Sequence, residues 1–456
     1  MGVVISLLVT LWVGYLIYKK YKPQAVLFFG GLILMWIASV FGYGQVVGAK
    51  ANTGSLFVNA FEFIRATFSK NAAGLGLNIM CVGAFAKYME KIGASKALVR
   101  ISIKPLMVIK SPYIVLAGTW IIGMCIGLCI TSASGLGMLL MVTMFPVLVG
   151  LGVSRLSAAC AVGSTMCYEW SPADTGNVMA AGIAKIDPVI LWMHYKVPVV
   201  IVALAILAPV MYFTMKYYDK KDGHVVKPEI IETTKDESDT APSYYALLPM
   251  IPLALIICFS KVFITSIKMH ITNAMFISFF IAILVELART RDPKKIAGDL
   301  QTFFDGMGMQ MANVVTLIVA GQAFAQGLMS MGAINTMIEG SKSLGFGPMP
   351  MMIVMVLIIA ICSVVMGSGN APFFAFAGLT PSIAAASNVS AALLLVPMQF
   401  ASSIARTMSP ITAVIVVCAG MANVSSFDMA KRLSIPMVIA MLINVGMVIG
   451  MYTIGW

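Results

Sequence analysis

Apolar runs of about 20 residues, separated by short polar breaks, recur along almost the whole chain. As a helix, each run rises about 30 Å, which matches the hydrocarbon core of a bilayer. In lipid the backbone must satisfy its own hydrogen bonds, so a spanning chain is either helical or a closed barrel. Runs this long select helices. Composition agrees: of 456 residues, 60% are hydrophobic and 11% are charged, whereas a soluble domain carries roughly a quarter charged. The expected fold class is all-α integral membrane.

Runs at residues 3–18, 24–42, 72–89, 112–130, 190–215, 244–260 and 268–288 read as spans. Met1-Gly2 with Ser6 fits a myristoylation pattern, but a spanning run starts at once and makes a lipid anchor redundant. Lys19, Lys20 and Lys22 follow that run rather than precede it, which argues against a cleavable signal. Residues 57–70 carry aromatics and charges at helical spacing and read as a helix lying along the interface. Residues 216–242 are hydrophilic and aperiodic, a solvated linker. The division expected is 1–56, N-terminal helices; 57–215, a first repeat; 216–242, a cytoplasmic linker; 243–296, linking helices; 297–456, a second repeat.

The net charge of +12 sits at the ends of the apolar runs, as the positive-inside bias requires. No basic patch is interleaved with aromatics, so nucleic acid is not an expected partner. The eight cysteines form no CxxC pair and only three histidines accompany them, which argues against disulfides and zinc. No Walker sequence is present, and Gly74-x-Gly76 follows no strand, so no nucleotide or other cofactor is expected.

The chain repeats itself. Gly83-Ala-Phe-Ala through Gly93-Ala94 matches Gln322-Ala-Phe-Ala through Gly332-Ala333 at an offset of 239 (322 − 83). Ser134-Gly135 matches Ser368-Gly369, and Pro146 matches Pro381. At an offset of 238, Ser171-Pro172 matches Ser409-Pro410, Ala181-Gly182 matches Ala419-Gly420, and Lys196-Val-Pro198 matches Ser434-Ile-Pro436. The loop after the first motif holds Lys96, Arg100, Lys104 and Lys110, whereas its counterpart holds only Lys342 before Pro350. Equivalent loops thus lie on opposite faces, the mark of inverted-topology repeats. Alternating-access carriers have this architecture, with substrate held near the midplane.

Each half breaks its apolar sequence twice. The first break, Thr131-Ser132-Ala-Ser134-Gly135 or Gly367-Ser368-Gly369-Asn370, is followed by about ten residues ending near Pro146 or Pro381. Ten helical residues rise about 15 Å, half a bilayer, so each break reads as the tip of a re-entrant hairpin. Irregular backbone at that depth lines a cavity, and its N–H and hydroxyl groups suit an anion; close helix packing of small residues is the plainer alternative. The second break centres on Ser171-Pro172 and Ser409-Pro410, where proline removes a helical hydrogen bond and unwinds the preceding residue. A half-helix N-terminus so exposed attracts carboxylate; a ligand-free kink is the alternative.

Arg406 stands inside apolar sequence beside the second of these breaks, at a cost of about 2.5–3.5 kcal/mol unless paired or hydrated. Its guanidinium suits a carboxylate, either a substrate's or that of Glu169 or Asp174. Glu169, Asp174 and Asn177 are also candidates for a coupling H+ or Na+; no other metal is expected. Asn78, Asn313 and Gln322 read as helix–helix hydrogen bonds, and His194, among Trp192, Tyr195 and Lys196, as part of an interfacial belt.

Gly367-Ser-Gly-Asn-Ala-Pro-Phe-Phe-Ala-Phe376, Ala405-Arg406-Thr-Met-Ser409-Pro410 and Ser134-Gly-Leu-Gly-Met-Leu-Leu-Met141 carry a resemblance that spans essentially the whole chain. The sequence resembles the DcuC family of anaerobic four-carbon-dicarboxylate carriers, within the ion-transporter superfamily. The resemblance implies a secondary active carrier of succinate, fumarate and malate, working by exchange or cation coupling in a bacterial inner membrane. It further implies an elevator mechanism on a scaffold that dimerises. By position it places Ser134, Gly135, Ser368, Gly369, Asn370, Arg406, Thr407 and Ser409 at the substrate site, and Ser132, Ser171 and Thr175 join them as first-half donors. Two other readings are a carrier of another organic anion, such as an acidic amino acid, and an anion channel. A membrane hydrolase lacks a His or Asp spaced to serve the break serines.

Overall fold

The computed structural model describes residues 2–19, 21–225, 241–333, 336, 348–387 and 389–455. All regular secondary structure in them is helical, and eight helices are long and apolar enough to cross a membrane. Most of the expected linker, and Lys342, lie outside the described residues.

After the pair Gly2–Tyr18 and Pro23–Val40, Ser55 caps a helix by accepting from the Val58 N–H. That helix, Leu56–Asn71, continues through a π turn, Ala72–Gly76, into Leu77–Lys91. The sequence reading separated an interfacial 57–70 helix from a span at 72–89; the structure joins them. No proline interrupts the junction, and the wider π turn absorbs its Gly-rich step without ending the helix. Asn59, Ala60 and Asn71 on this run are buried, so the segment packs on protein.

A second run has the same construction: Pro293–Gln310, a π turn at Met311–Val315, then Thr316–Ser330. The two π turns are 239 residues apart (311 − 72), the offset read from the motif. The runs lie side by side and antiparallel. Lys91 meets Asp299 at 3.7 Å, Gly306 lies on Ala84 and Gly83 on Gln310, and Asn71 donates to Gln322 at 2.8 Å. At the crossing, Gly76 lies against Val315, its own counterpart at that offset. Asn78 accepts from Thr272 at 2.5 Å, a helix–helix bond like that of Gln322.

These runs pack chiefly with the first two helices, Ser243–Cys258 and Ile271–Thr290, to form one body. Ala94–Ser102 packs chiefly on Ser243–Met250 of this body, and the remaining helices form a second. It contains a hairpin whose arms, Pro112–Ile126 and Ala133–Thr143, meet at residues 127–132. In another, Pro348–Met366 and Asn370–Ala377 meet at Gly367–Gly369. Gly367 adopts φ +63, a left-handed conformation that glycine takes without steric cost.

Two helices of the second body are interrupted at the Ser-Pro positions. Arg155–Gly163 and Thr175–Ala184 are separated by residues 164–174, and Ala391–Thr407 and Ala413–Ala422 by residues 408–412. Each second segment ends on a left-handed residue, Lys185 or Asn423, both at φ 55 and 238 positions apart (423 − 185). The long helices Pro188–Lys221 and Ser426–Thr453 follow. Their ends are tied by Arg432, which pairs with Asp219 at 2.6 Å and with Asp222. Asp219 also accepts from Tyr113, Ser154 and Ser157, so one buried carboxylate joins four elements.

Candidate functional site

The first interruption builds most of the site. The helix ends at Gly163, and Ser171-Pro172 lies in the non-helical stretch that follows, where the Ser171 hydroxyl donates to the Leu128 carbonyl at 2.7 Å, while Trp170 donates to the Met124 carbonyl at 2.9 Å. The break is thereby fastened to the first hairpin. Helix resumes at Thr175, with Asp174 as its N-cap accepting from the Asn177 N–H at 2.7 Å. An aspartate there meets both the unpaired N–H groups and the positive end of the helix dipole. Asn177 donates onward to the carbonyls of Pro172 and Pro188, a bracing role.

Asp174 has further partners. Gln399 donates to it at 2.9 Å, and Lys196 at 3.2 Å. Lys196 is fully buried. Its ammonium also donates to the Glu169 carbonyl at 3.1 Å and lies 5.4 Å from the Phe400 ring centre, a cation–π distance. The neighbourhood read as an interfacial belt therefore holds a lysine in the interior. Removing one partner of such a buried pair costs about 3–5 kcal/mol.

Arg406 reaches the same place from the second half. Its Nη2 donates to Glu169 at 2.7 Å and to the Met166 carbonyl at 3.3 Å, while its Nε is buried without a partner. Of the alternatives left open by the sequence, the pair with Glu169 is present, and Arg406 still lines a cavity of about 420 Å³. Gly369 makes room for its stem: a Cβ there would stand 2.9 Å from the Arg406 Cδ. Glu169, Asp174, Lys196 and Arg406 together sum to zero charge.

Ser132, Ser134, Gly135 and Thr175 line that cavity from the first half, with Glu169 and Asp174; Asn370 and Arg406 line it from the second. Ser132 caps the returning arm through the Gly135 N–H, and Ser368 caps its own through the Ala371 N–H. By capping role Ser132, rather than Ser134, is the counterpart of Ser368. Ser368 borders another cavity, of about 610 Å³, which also reaches Lys22 and Asn313 and shares Asn370.

Other expected residues turn away from the 420 Å³ cavity. Thr407 bonds Ser403 within its own helix; Ser409 is buried with no partner for its hydroxyl; Pro410 sits in the second interruption. Sequence reasoning missed Lys196 and Gln399, and missed Lys87, Glu90 and Gln310 on the cavity's other wall. The i, i+3 spacing of Lys87 and Glu90, just ahead of the basic loop that begins at Lys96, was the available signal.

The family model for C4-dicarboxylate anaerobic carriers, DcuC, matches residues 1–453. The anaerobic C4-dicarboxylate transporter DcuC of Escherichia coli K12 is 34% identical over 439 residues, 96% of this chain and 94% of that protein. A Vibrio cholerae protein described as a probable transporter of the same name is 35% identical over 438 residues, 96% of this chain and 95% of its own. The fold is shared with two solved transporters. MtrF of Neisseria gonorrhoeae superposes with a TM-score of 0.66 at 14% identity, over 93% of this chain and 94% of its own. YdaH of Alcanivorax borkumensis gives 0.63 at 13%, over 96% and 99%. With a whole-chain family match and relatives of this identity and coverage, the chain belongs to the DcuC family of C4-dicarboxylate carriers, and is a multi-pass membrane transporter rather than an enzyme.

Proposed function

We propose that this protein is a secondary carrier of succinate, fumarate and malate in a bacterial inner membrane, working by exchange or cation-coupled movement. The observation that carries the reading is a guanidinium on the wall of a polar cavity, reached by the first hairpin tip at Ser132 and by Asn370 beside the second. Arg406 receives one substrate carboxylate, which displaces Glu169 from the fork, and the partnerless Nε supplies the second arm. Lys87 lends positive charge to the facing wall for the other carboxylate. Hydroxyls of Ser132, Ser134 and Thr175 and the amide of Asn370 complete the lining.

Inverted repeats account for two antiparallel runs sharing a π turn and an offset, and for matched left-handed caps 238 positions apart. The hairpins are read as re-entrant, with the second body sliding as an elevator along the first, which serves as a dimerising scaffold. The domain division stands on the same reading, with the 216–242 linker cytoplasmic. The cavity extends to Lys87, Glu90 and Ser95 at the strongly basic end, so the carrier is open to the cytoplasm by the positive-inside bias.

Counterflow in proteoliposomes tests this. Carrier loaded with unlabelled succinate should accumulate labelled succinate, with fumarate and malate competing. Arg406→Ala should lower counterflow at least about 100-fold, the loss of roughly 2.7 kcal/mol expected for a charge-assisted fork. Undiminished counterflow by that variant would remove Arg406 from the substrate site.

A further inference from the structure

Two of the carbonyls freed by the first interruption are satisfied by cations of the chain itself. Met166 gives its carbonyl to Arg406, and Glu169 gives its carbonyl to Lys196. In broken-helix carriers, freed carbonyls and a nearby carboxylate are the groups that hold a coupling cation. Here that combination, the Glu169 carbonyl at 3.1 Å and the Asp174 carboxylate at 3.2 Å, surrounds an ammonium. We propose that Lys196 is a tethered cation standing in the place of a coupling ion, so that transport proceeds without Na+.

Two observations support the assignment. Lys196 is fully buried, so its charge serves the interior and not solvent. It extends from the π turn Trp192–Lys196, whose extra residue shifts the register of the helix just where the ammonium must reach the break. The second half lacks the device: at the position of Lys196 it has Ser434, which bonds the Ala430 carbonyl of its own helix. Thr412, in place of Asp174, turns its hydroxyl to the Arg406 carbonyl at 2.6 Å. The cation is thus confined to the half that carries the acids.

The inference rests on the carrier reading, and the two fail differently. Absence of succinate counterflow in every medium would defeat the carrier reading. Counterflow that is present in NaCl and falls tenfold or more when choline replaces Na+ would defeat the tethered cation alone. Wild-type rates within twofold in the two media are expected. Lys196→Ala, checked for folding by gel filtration, should be slow in choline and recover at least fivefold as Na+ is raised. A folded variant that matches wild type in choline, or that stays inactive at every Na+ concentration, would overturn the proposal. If this variant fails to fold, the wild-type comparison of media decides.

Discussion

At the residue scale, the site was legible where a residue is costly in lipid whatever surrounds it. Arg406 is such a residue, and so are Glu169 and Asp174, because an ionisable group within an apolar run needs a reason. Lys196 escaped because a lysine next to Trp192 and Tyr195 looks the same whether it anchors a helix at the interface or enters the core. Its partner lies 22 residues away across a turn, and no local pattern joins them. Gln399 is a polar residue in an apolar helix with equally little to mark it. Gly369 was legible as a tip residue, but its reason was not: it admits the Arg406 stem. Gly369→Ala should therefore fold normally and raise the half-saturating succinate concentration about tenfold, equivalent to about 1.4 kcal/mol of lost binding. The concentration dependence of counterflow reads this directly. An unchanged half-saturation would mean that the stem has room to spare.

At the element scale, proline and glycine punctuation carried most of the information. Both Ser-Pro sites lie in helix interruptions and both Gly/Ser clusters turn a hairpin, since the cost of proline within a helix is local. The exceptions are instructive. Ala72-Ala-Gly-Leu-Gly76 looked like a boundary, yet a π turn carries the helix through it. Pro209 and Pro436 lie inside helices that continue past them. What holds the two long runs together is close approach: a Cβ on Gly306 would stand 2.7 Å from the Cα of Ala84, backbone that a rotamer change cannot clear. Gly306→Val should destabilise the first body by about 1–3 kcal/mol, the usual range for overpacking. A thermal gel-filtration assay should register a lower midpoint. An unaltered midpoint would show that the crossing is loose enough to part.

At the scale of the whole molecule, the repeat was legible because small residues in matched order survive where apolar ones drift. Its orientation rested on charge, and part of that charge, Lys342, lies outside the described residues. The structure supplies a pair of positions that tests it directly. Lys185 and Asn423 are exposed left-handed residues closing corresponding helices, 238 positions apart. If the halves are inverted, these two corners face opposite solutions. Asn423 shares its end of the molecule with the basic Lys431 and Arg432 near the start of the final helix, and by the positive-inside bias belongs to the cytoplasm. In a background without accessible native cysteines, Lys185→Cys should react with an impermeant maleimide added outside intact cells. Asn423→Cys should react only after the membrane is opened. Labelling of both from the same side would break the two-fold relation, and with it the reason for placing substrate between the halves.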